Sequence, residues 1–425
     1  MRLLIYLGRH GLIFAIAKSA VLFSPLLAAG LLSKSQYGSV EWWLALSLSF
    51  GPVLAMGAPG LVAYGTLSDK FSRHVSTATL FVLITATALL LMALALPLFD
   101  QDWHRSLYGP VLVQCAVVAL QMTLSARLKG LGKGAWASLV ESSLYQTLLC
   151  ALIFSWKGLD FVNSFMILML LTSVLLIGGL MCSVSIPGLS RWTKLNFQAF
   201  LRSSLPFMAG GALMGTFMAM PRISLGFFAS PAKVAEFALV FRWLSIAIVA
   251  HQFINTVFFR KIFADGDTQR RDRMLAATVF FVAILSVCIV LTLQLTQSLN
   301  VPLPIPSTLN LAWSMCIVMF MWSGSASFEG VLYRAGASLV QVRATVFGVI
   351  FQLLALGLMT LLEVGDEWLF RATSAWLLGF LVIIFFQWRG LRANGEKVTW
   401  LMRVLLALLL IPVGTHFLSL AFSYE

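Results

Sequence analysis

Charge is scarce in this chain. Only 11% of its 425 residues are Asp, Glu, Lys or Arg, where a soluble protein carries about 25%. Acids are the scarcer sign, 16 against 29 bases. So few charges cannot cover a water-exposed surface, which excludes a soluble enzyme of two or three domains. Histidine and cysteine are also thin, five of each. His10, His74, His104, His251 and His416 are scattered without ligand spacing, and Cys115, Cys150, Cys182, Cys288 and Cys316 sit singly in apolar runs. The cysteines therefore read as small core-filling residues, and neither a metal site nor a redox pair is expected. Also missing are G-x-x-x-x-G-K-[ST] for nucleotide phosphates and H-E-x-x-H for zinc. No connecting segment is long enough to house a catalytic domain. These absences point away from an enzyme, and no cofactor is expected.

What is abundant is apolar length: 60% of the residues are hydrophobic. Runs of about 20 such residues are long enough to cross roughly 30 Å of hydrocarbon. They recur near 7–32, 40–66, 76–98, 107–127, 136–156, 162–184, 200–228, 234–260, 275–298, 306–333, 337–362, 368–389 and 399–421. The first is too long for a signal-peptide core and contains Lys18, so it is read as a membrane helix. The chain is expected to be an all-α polytopic membrane protein of thirteen spans. The longest gap, 186–199, holds Pro187, Gly188, Arg191 and Lys194 and reads as a cytoplasmic linker. It separates an N-terminal six-helix bundle (1–185) from a C-terminal one (200–390), with an extra C-terminal helix in 391–425.

The net charge of +13 does not require a nucleic-acid partner. With the N-terminus in the cytoplasm, 21 of the 29 bases fall in the inner set of loops, from Arg2 and Arg9 through Arg127, Lys129 and Lys133 to Arg392, Lys397 and Arg403. This is the asymmetry of the positive-inside rule, while the outer loops carry Asp100, Asp102, Asp160, Glu363, Asp366 and Glu367. Trp103, Trp136, Trp156, Trp368, Trp388 and Trp400 fall at span ends, where an indole ring prefers the headgroup level.

Two internal matches join corresponding helices of the halves. Residues 28–48 align with 224–244, placing Gly30 on Gly226 and, after a one-residue gap, Gly38 on Ala235. RLKGLG (127–132) aligns with LYRAGA (332–337), placing Gly132 on Gly336. Six helices separate the halves, so the repeats run parallel, an arrangement that puts a central site at the interface of the halves. Pro25, Pro52, Pro59, Pro206 and Pro221 are expected to interrupt the first, second and seventh spans.

A charge at mid-bilayer costs at least a few kcal/mol unless it faces a cavity or a partner. Lys18 lies near the middle of the first span, Arg242 about two turns into the eighth, and Arg222 near the outer end of the seventh, followed by Lys233 in the next turn. This basic set suits an anionic substrate: an Arg fork binds phosphate oxygens in pairs, and Lys supplies a mobile point charge. Glu41 and Glu236 start the second and eighth spans on the outer side. Glu141 and Glu329 lie about one turn inside the cytoplasmic ends of theirs, and His251 is mid-span. Glu141, His251 and Glu329 are the candidates for coupling or gating, although structural ion pairing of the acids and hydrogen-bonded packing of the histidine are the more usual roles of such residues.

The stretches LLSKSQYGSVEWWLALSL (31–48) and PRISLGFFASPAKVAEFALVFRWLS (221–245) resemble the repeat signatures of the polysaccharide transporters. These are O-antigen-type flippases of the multidrug/oligosaccharidyl-lipid/polysaccharide exporter superfamily. Arg222, Gly226, Pro231, Phe237 and the Phe241–Arg242 pair occupy signature positions, and Pro221 stands where the family has an acid. RLKGLGKGAWAS (127–138) is similar to the family's inner loop between helices four and five.

The resemblance spans roughly residues 7–390. It implies a V-shaped molecule in the bacterial cytoplasmic membrane that turns an undecaprenyl-pyrophosphate-linked oligosaccharide from the inner to the outer leaflet. That step serves O-antigen or other surface polysaccharide synthesis, alongside polymerase and chain-length machinery. A multidrug antiporter of the same superfamily is the alternative, disfavoured by the lack of an acid in the first helix. A flippase for the peptidoglycan precursor would usually have fourteen helices, and a membrane glycan polymerase or ligase would need a long outer loop.

Overall fold

The structure is a computed structural model that describes residues 2–67, 69–96, 108–183, 194–263, 267–299, 304, 309–363 and 368–422. Every long element among these residues is an α-helix, as it must be where no water satisfies the backbone. In chain order they are α1 (Arg2–Leu31), α2 (Lys34–Leu54), α3 (Ala58–Leu67), α4 (Asp69–Ala95), α5 (Tyr108–Gly130), α6 (Gly134–Glu141), α7 (Ser143–Trp156) and α8 (Phe161–Ser183). There follow α9 (Lys194–Phe228), α10 (Pro231–Phe263), α11 (Thr268–Ser298), α12 (Leu309–Arg334), α13 (Ser338–Leu361), α14 (Trp368–Ala393) and α15 (Thr399–Phe422).

These fifteen helices account for the thirteen expected spans because two spans are broken. Among the described residues, nine helices and one bent pair are long and apolar enough to cross a membrane. The second span divides at Ala55–Gly57. Pro59 has no N–H to donate to the carbonyl four residues back, and the chain leaves the helix there, with Met56 at φ 46° and Gly57 at φ 73°. The fifth divides at Ser142, where α6 and α7 meet at 51°. Two side chains there compete for the backbone: the Ser142 hydroxyl donates to Leu139 O at 2.8 Å and the Gln146 amide to the same oxygen at 3.2 Å. The expectation that Pro25, Pro206 and Pro221 interrupt their spans is corrected, since all three lie within unbroken helices, α1 and α9, and Pro52 likewise lies inside α2.

The distribution of side chains is that of a lipid-embedded protein. Leu91, Leu171, Leu175 and Leu361 are exposed, while Ser47, Gln114, Ser173 and Ser323 are buried completely. These polar groups turn inward, where they bond to other side chains or to carbonyls, and the apolar surface faces outward. Five of the six tryptophans expected at span ends are described. Trp136, Trp156 and Trp400 are exposed and Trp368 and Trp388 half-buried; Trp103 lies outside the described residues. The acids Asp100, Asp102, Asp366 and Glu367 and linker residues 186–193 also lie outside them.

The two inner turns matched in sequence have the same hydrogen-bond pattern. Gly132 N–H donates to Lys129 O and Lys133 N–H to Leu128 O; Gly336 N–H donates to Tyr333 O and Ala337 N–H to Leu332 O. Both glycines have φ above +70°. Each helix thus ends in the same glycine-dependent cap, which supports the repeat.

The chain divides into two compact units, Met1–Gly226 and Phe227–Glu425. This division falls near the end of α9 rather than at 186–199, so α9 groups with the first unit. The C-terminal helix α15 is docked within the second unit: a methyl group added at Gly324 of α12 would lie 2.7 Å from the Leu405 side chain. Asp272 of α11 caps its start, accepting from Trp400 N at 2.7 Å and Leu401 N at 3.0 Å. Asp272→Ala is expected to lower stability by about 1–2 kcal/mol, the worth of a helix N-cap. Protection of the first α15 amides in hydrogen exchange would fall with it. Unchanged protection would mean that α15 is held without the cap.

Candidate substrate-handling residues

In the first unit the seventh expected span approaches the second closely. A methyl group at Gly215 of α9 would sit 3.0 Å from Leu48 O, and one at Gly226 would sit 2.3 Å from the Trp42 indole. Small residues allow such contact between membrane helices. It brings Arg222 of α9 to Glu41 of α2: Arg222 Nη1 donates to Glu41 Oε2 at 2.9 Å. Arg222 is 5% exposed and Glu41 not at all. Tyr37, one turn before Glu41, donates from its hydroxyl to Oε1 at 3.4 Å. The residue before Arg222 is Pro221 rather than an acid, and the carboxylate comes from another helix instead. Each charge is visible in the sequence as one near a span end, but their pairing is not, because 181 positions separate them.

Lys18 is half-buried in α1, about 24 Å along the helix from Arg2 at 1.5 Å per residue. Its ammonium lies 5.6 Å from the centre of the Phe14 ring. The charges that act on it are Glu141 and Lys129. Among the described residues no carboxylate forms an ion pair with it. Glu141 is instead 3.1 Å from Lys129 Nζ, in a pair about half exposed on both sides.

In the second unit Arg242 is 4% exposed on α10, and its neighbour Phe241 stacks on Trp322 with centroids 6.3 Å apart. Phe241 and Phe237 also flank Trp376, which is completely buried. Phe237, Phe241 and Arg242 stand at signature positions of the sequence, whereas Trp322 and Trp376 do not, since an interior tryptophan has no local signature. At the start of α10, Lys233 pairs with Glu236 at 3.2 Å.

His251 is buried, with Nδ1 2.7 Å from the Ser323 hydroxyl and Nε2 2.8 Å from the Asn255 side-chain amide. Both ring nitrogens are thus engaged by neutral groups, the arrangement of a packed histidine. Glu329 of α12 is half-buried and hydrogen-bonded to Tyr333 one turn further on. The candidates for coupling, Glu141, His251 and Glu329, therefore each have a protein partner, and the structure places them on three separate helices.

No protein-family model matches the chain, and no curated protein sequence does. Solved structures do match. The inward closed conformation of the lipid II flippase MurJ aligns over 96% of this chain and all of its own, with TM-score 0.61 and 16% identity. The inward-facing conformation of a multidrug resistance MATE family transporter of the MOP superfamily aligns over 92% of this chain and 96% of its own, with TM-score 0.59 and 12% identity. A MATE transporter in the bent conformation gives TM-score 0.54 at 13% identity, over 94% of this chain. The chain shares the fold of these proteins over nearly its whole length.

Proposed function

We propose that the protein is a flippase that carries an undecaprenyl-pyrophosphate-linked oligosaccharide across the bacterial cytoplasmic membrane by alternating access, with its N-terminus in the cytoplasm. The observation that carries this reading is Lys18, a cation in the middle of an apolar helix with no ion-pair partner among the described residues. A cation in that position is stabilised by an anion that comes and goes. Lys18, Arg222 and Arg242 are the cations assigned to the pyrophosphate, each lying within or near the end of an apolar span.

The likeness to MATE transporters favours a second reading, a cation-coupled multidrug exporter. Against it, the described acids within the spans are all engaged: Glu41 by Arg222, Glu141 by Lys129, Glu236 by Lys233 and Glu329 by Tyr333. Coupling to a cation or binding a cationic drug calls for a carboxylate that can be released.

The test is surface glycan display in a deletion strain complemented with Lys18→Ala or Arg242→Ala. Both variants are expected to insert at parental levels. Each is expected to reduce display at least about tenfold, the loss of one charge-assisted phosphate contact of roughly 1.5–3 kcal/mol. Normal display from both would refute the residue assignment. Normal display from the deletion strain itself, with new drug sensitivity, would favour the exporter.

A further inference from the structure

The turn between α14 and α15 borders an open cleft of about 480 Å³, apart from the residues assigned to the substrate. Three cations line it: Arg392 at the end of α14, Lys397 in the turn and Arg403 in the first turns of α15. All three are exposed. The one acid in the lining, Glu396, is already ion-paired with Arg271 of α11, which is 1% exposed. Two further nitrogens of Arg271, Nε and Nη1, are buried with no hydrogen-bond partner among the described residues. Nor is the positive end of α15 available to a ligand, because Asp272 takes the Trp400 and Leu401 amides. The positive charge in the cavity therefore belongs to side chains, and it exceeds the negative.

Two tryptophans fix the depth of this elbow. Arg392 lies over Trp388 at 5.1 Å and Arg403 over Trp400 at 5.6 Å, pairs of the kind that sit at the headgroup level. Beyond the cations the wall becomes apolar. Met402 and Leu406 line the cavity, and Leu410, one turn further along α15, is exposed with Leu406. A phosphate would meet the arginines while an acyl chain follows the leucines. The volume is that of a ligand pocket rather than of a lone anion.

We infer that this elbow binds the headgroup of an anionic bilayer phospholipid, in the leaflet expected to face the cytoplasm. Basic pockets beside membrane helices on that side recognise phosphate headgroups, with each Lys or Arg adding about a four- to sixfold preference. Three of them predict a preference of roughly 100-fold for phosphatidylglycerol over phosphatidylcholine.

Native mass spectrometry of the full-length protein in mixed micelles tests this, with phosphatidylglycerol, phosphatidylcholine, undecaprenyl phosphate and inorganic phosphate offered in separate arms. The expected result is a retained phosphatidylglycerol adduct that is lost in Arg392→Gln/Lys397→Gln/Arg403→Gln and kept in the control Arg343→Gln, an exposed arginine of α13. Because the three side chains are exposed, the triple variant should keep its unfolding midpoint; Arg403→Gln alone should weaken the adduct about fivefold. The inference is overturned if the triple variant keeps the adduct, or if the control loses it equally. It is also overturned if inorganic phosphate displaces the lipid, or if undecaprenyl phosphate binds in its place tenfold more tightly.

Discussion

Glu41→Ala is expected to destabilise the protein by about 3–5 kcal/mol, because it leaves the Arg222 guanidinium buried without its carboxylate. The two charges are 6% and 0% exposed as side chains, so water cannot take over from the lost partner. Arg222→Ala is expected to cost a similar amount, because Glu41 then loses its buried cation and the Tyr37 hydroxyl bond to it is long, at 3.4 Å. The variant that distinguishes the pair from its parts is Glu41→Gln/Arg222→Met. Removing both charges while keeping volume should restore more than half of either single loss, since a buried ion pair is worth little relative to well-packed neutral groups. Thermal unfolding of the purified protein in detergent measures all three. Strict additivity of the single losses in the double variant would show that the two side chains do not act as a pair.

Gly57→Ala has the second largest expected effect, about 3 kcal/mol or more. Two separate costs add. The residue has φ 73°, where an L side chain is strained by roughly 1–2 kcal/mol. A methyl group there would also lie 2.3 Å from Ser204 O and 2.8 Å from Met208 N. Both are backbone atoms of α9, so no rotamer change relieves the contact, and the two helices must separate. Gly132→Ala is the control: its φ is 74°, but nothing lies within 4 Å of the added methyl, so only the strain of about 1–2 kcal/mol remains. The same unfolding measurement compares them. Equal losses in the two variants would mean that the approach of α2–α3 to α9 contributes nothing.

These two sites mark the boundary between what was legible beforehand and what was not. The helical passes were legible because a span is a local property: its length follows from bilayer thickness and its composition from the cost of polar atoms in lipid. The repeat was legible for the same reason, since a glycine two or three residues past a helix end is part of a local cap. Gly132 and Gly336 were aligned as letters and prove to have the same conformation. The other repeat pair behaves differently. Gly226 is crowded by Trp42, whereas a methyl group at Gly30 would meet nothing within 4 Å. One glycine is needed for helix approach and the other is not, and no local feature separates them.

Proline shows the limit from another side. Pro25, Pro59 and Pro221 carry the same chemistry, yet only Pro59 stands at a break, because there α2 and α3 also have to accommodate the backbone of α9.

Among the candidate residues, sequence alone identified which charges lie within apolar spans, and it determined the all-helical, multi-span architecture. Tertiary structure decided which of those charges have partners. Glu41 and Arg222 become one neutral unit, Glu141 joins Lys129, and Lys18 forms no ion pair among the described residues. The physical reason is range. A hydrogen-bonded helix is satisfied within a few residues of itself, but a buried charge is satisfied only by what another helix brings to within about 3 Å. That approach depends on the small residues at Gly57, Gly215 and Gly226, whose neighbours are set by the fold.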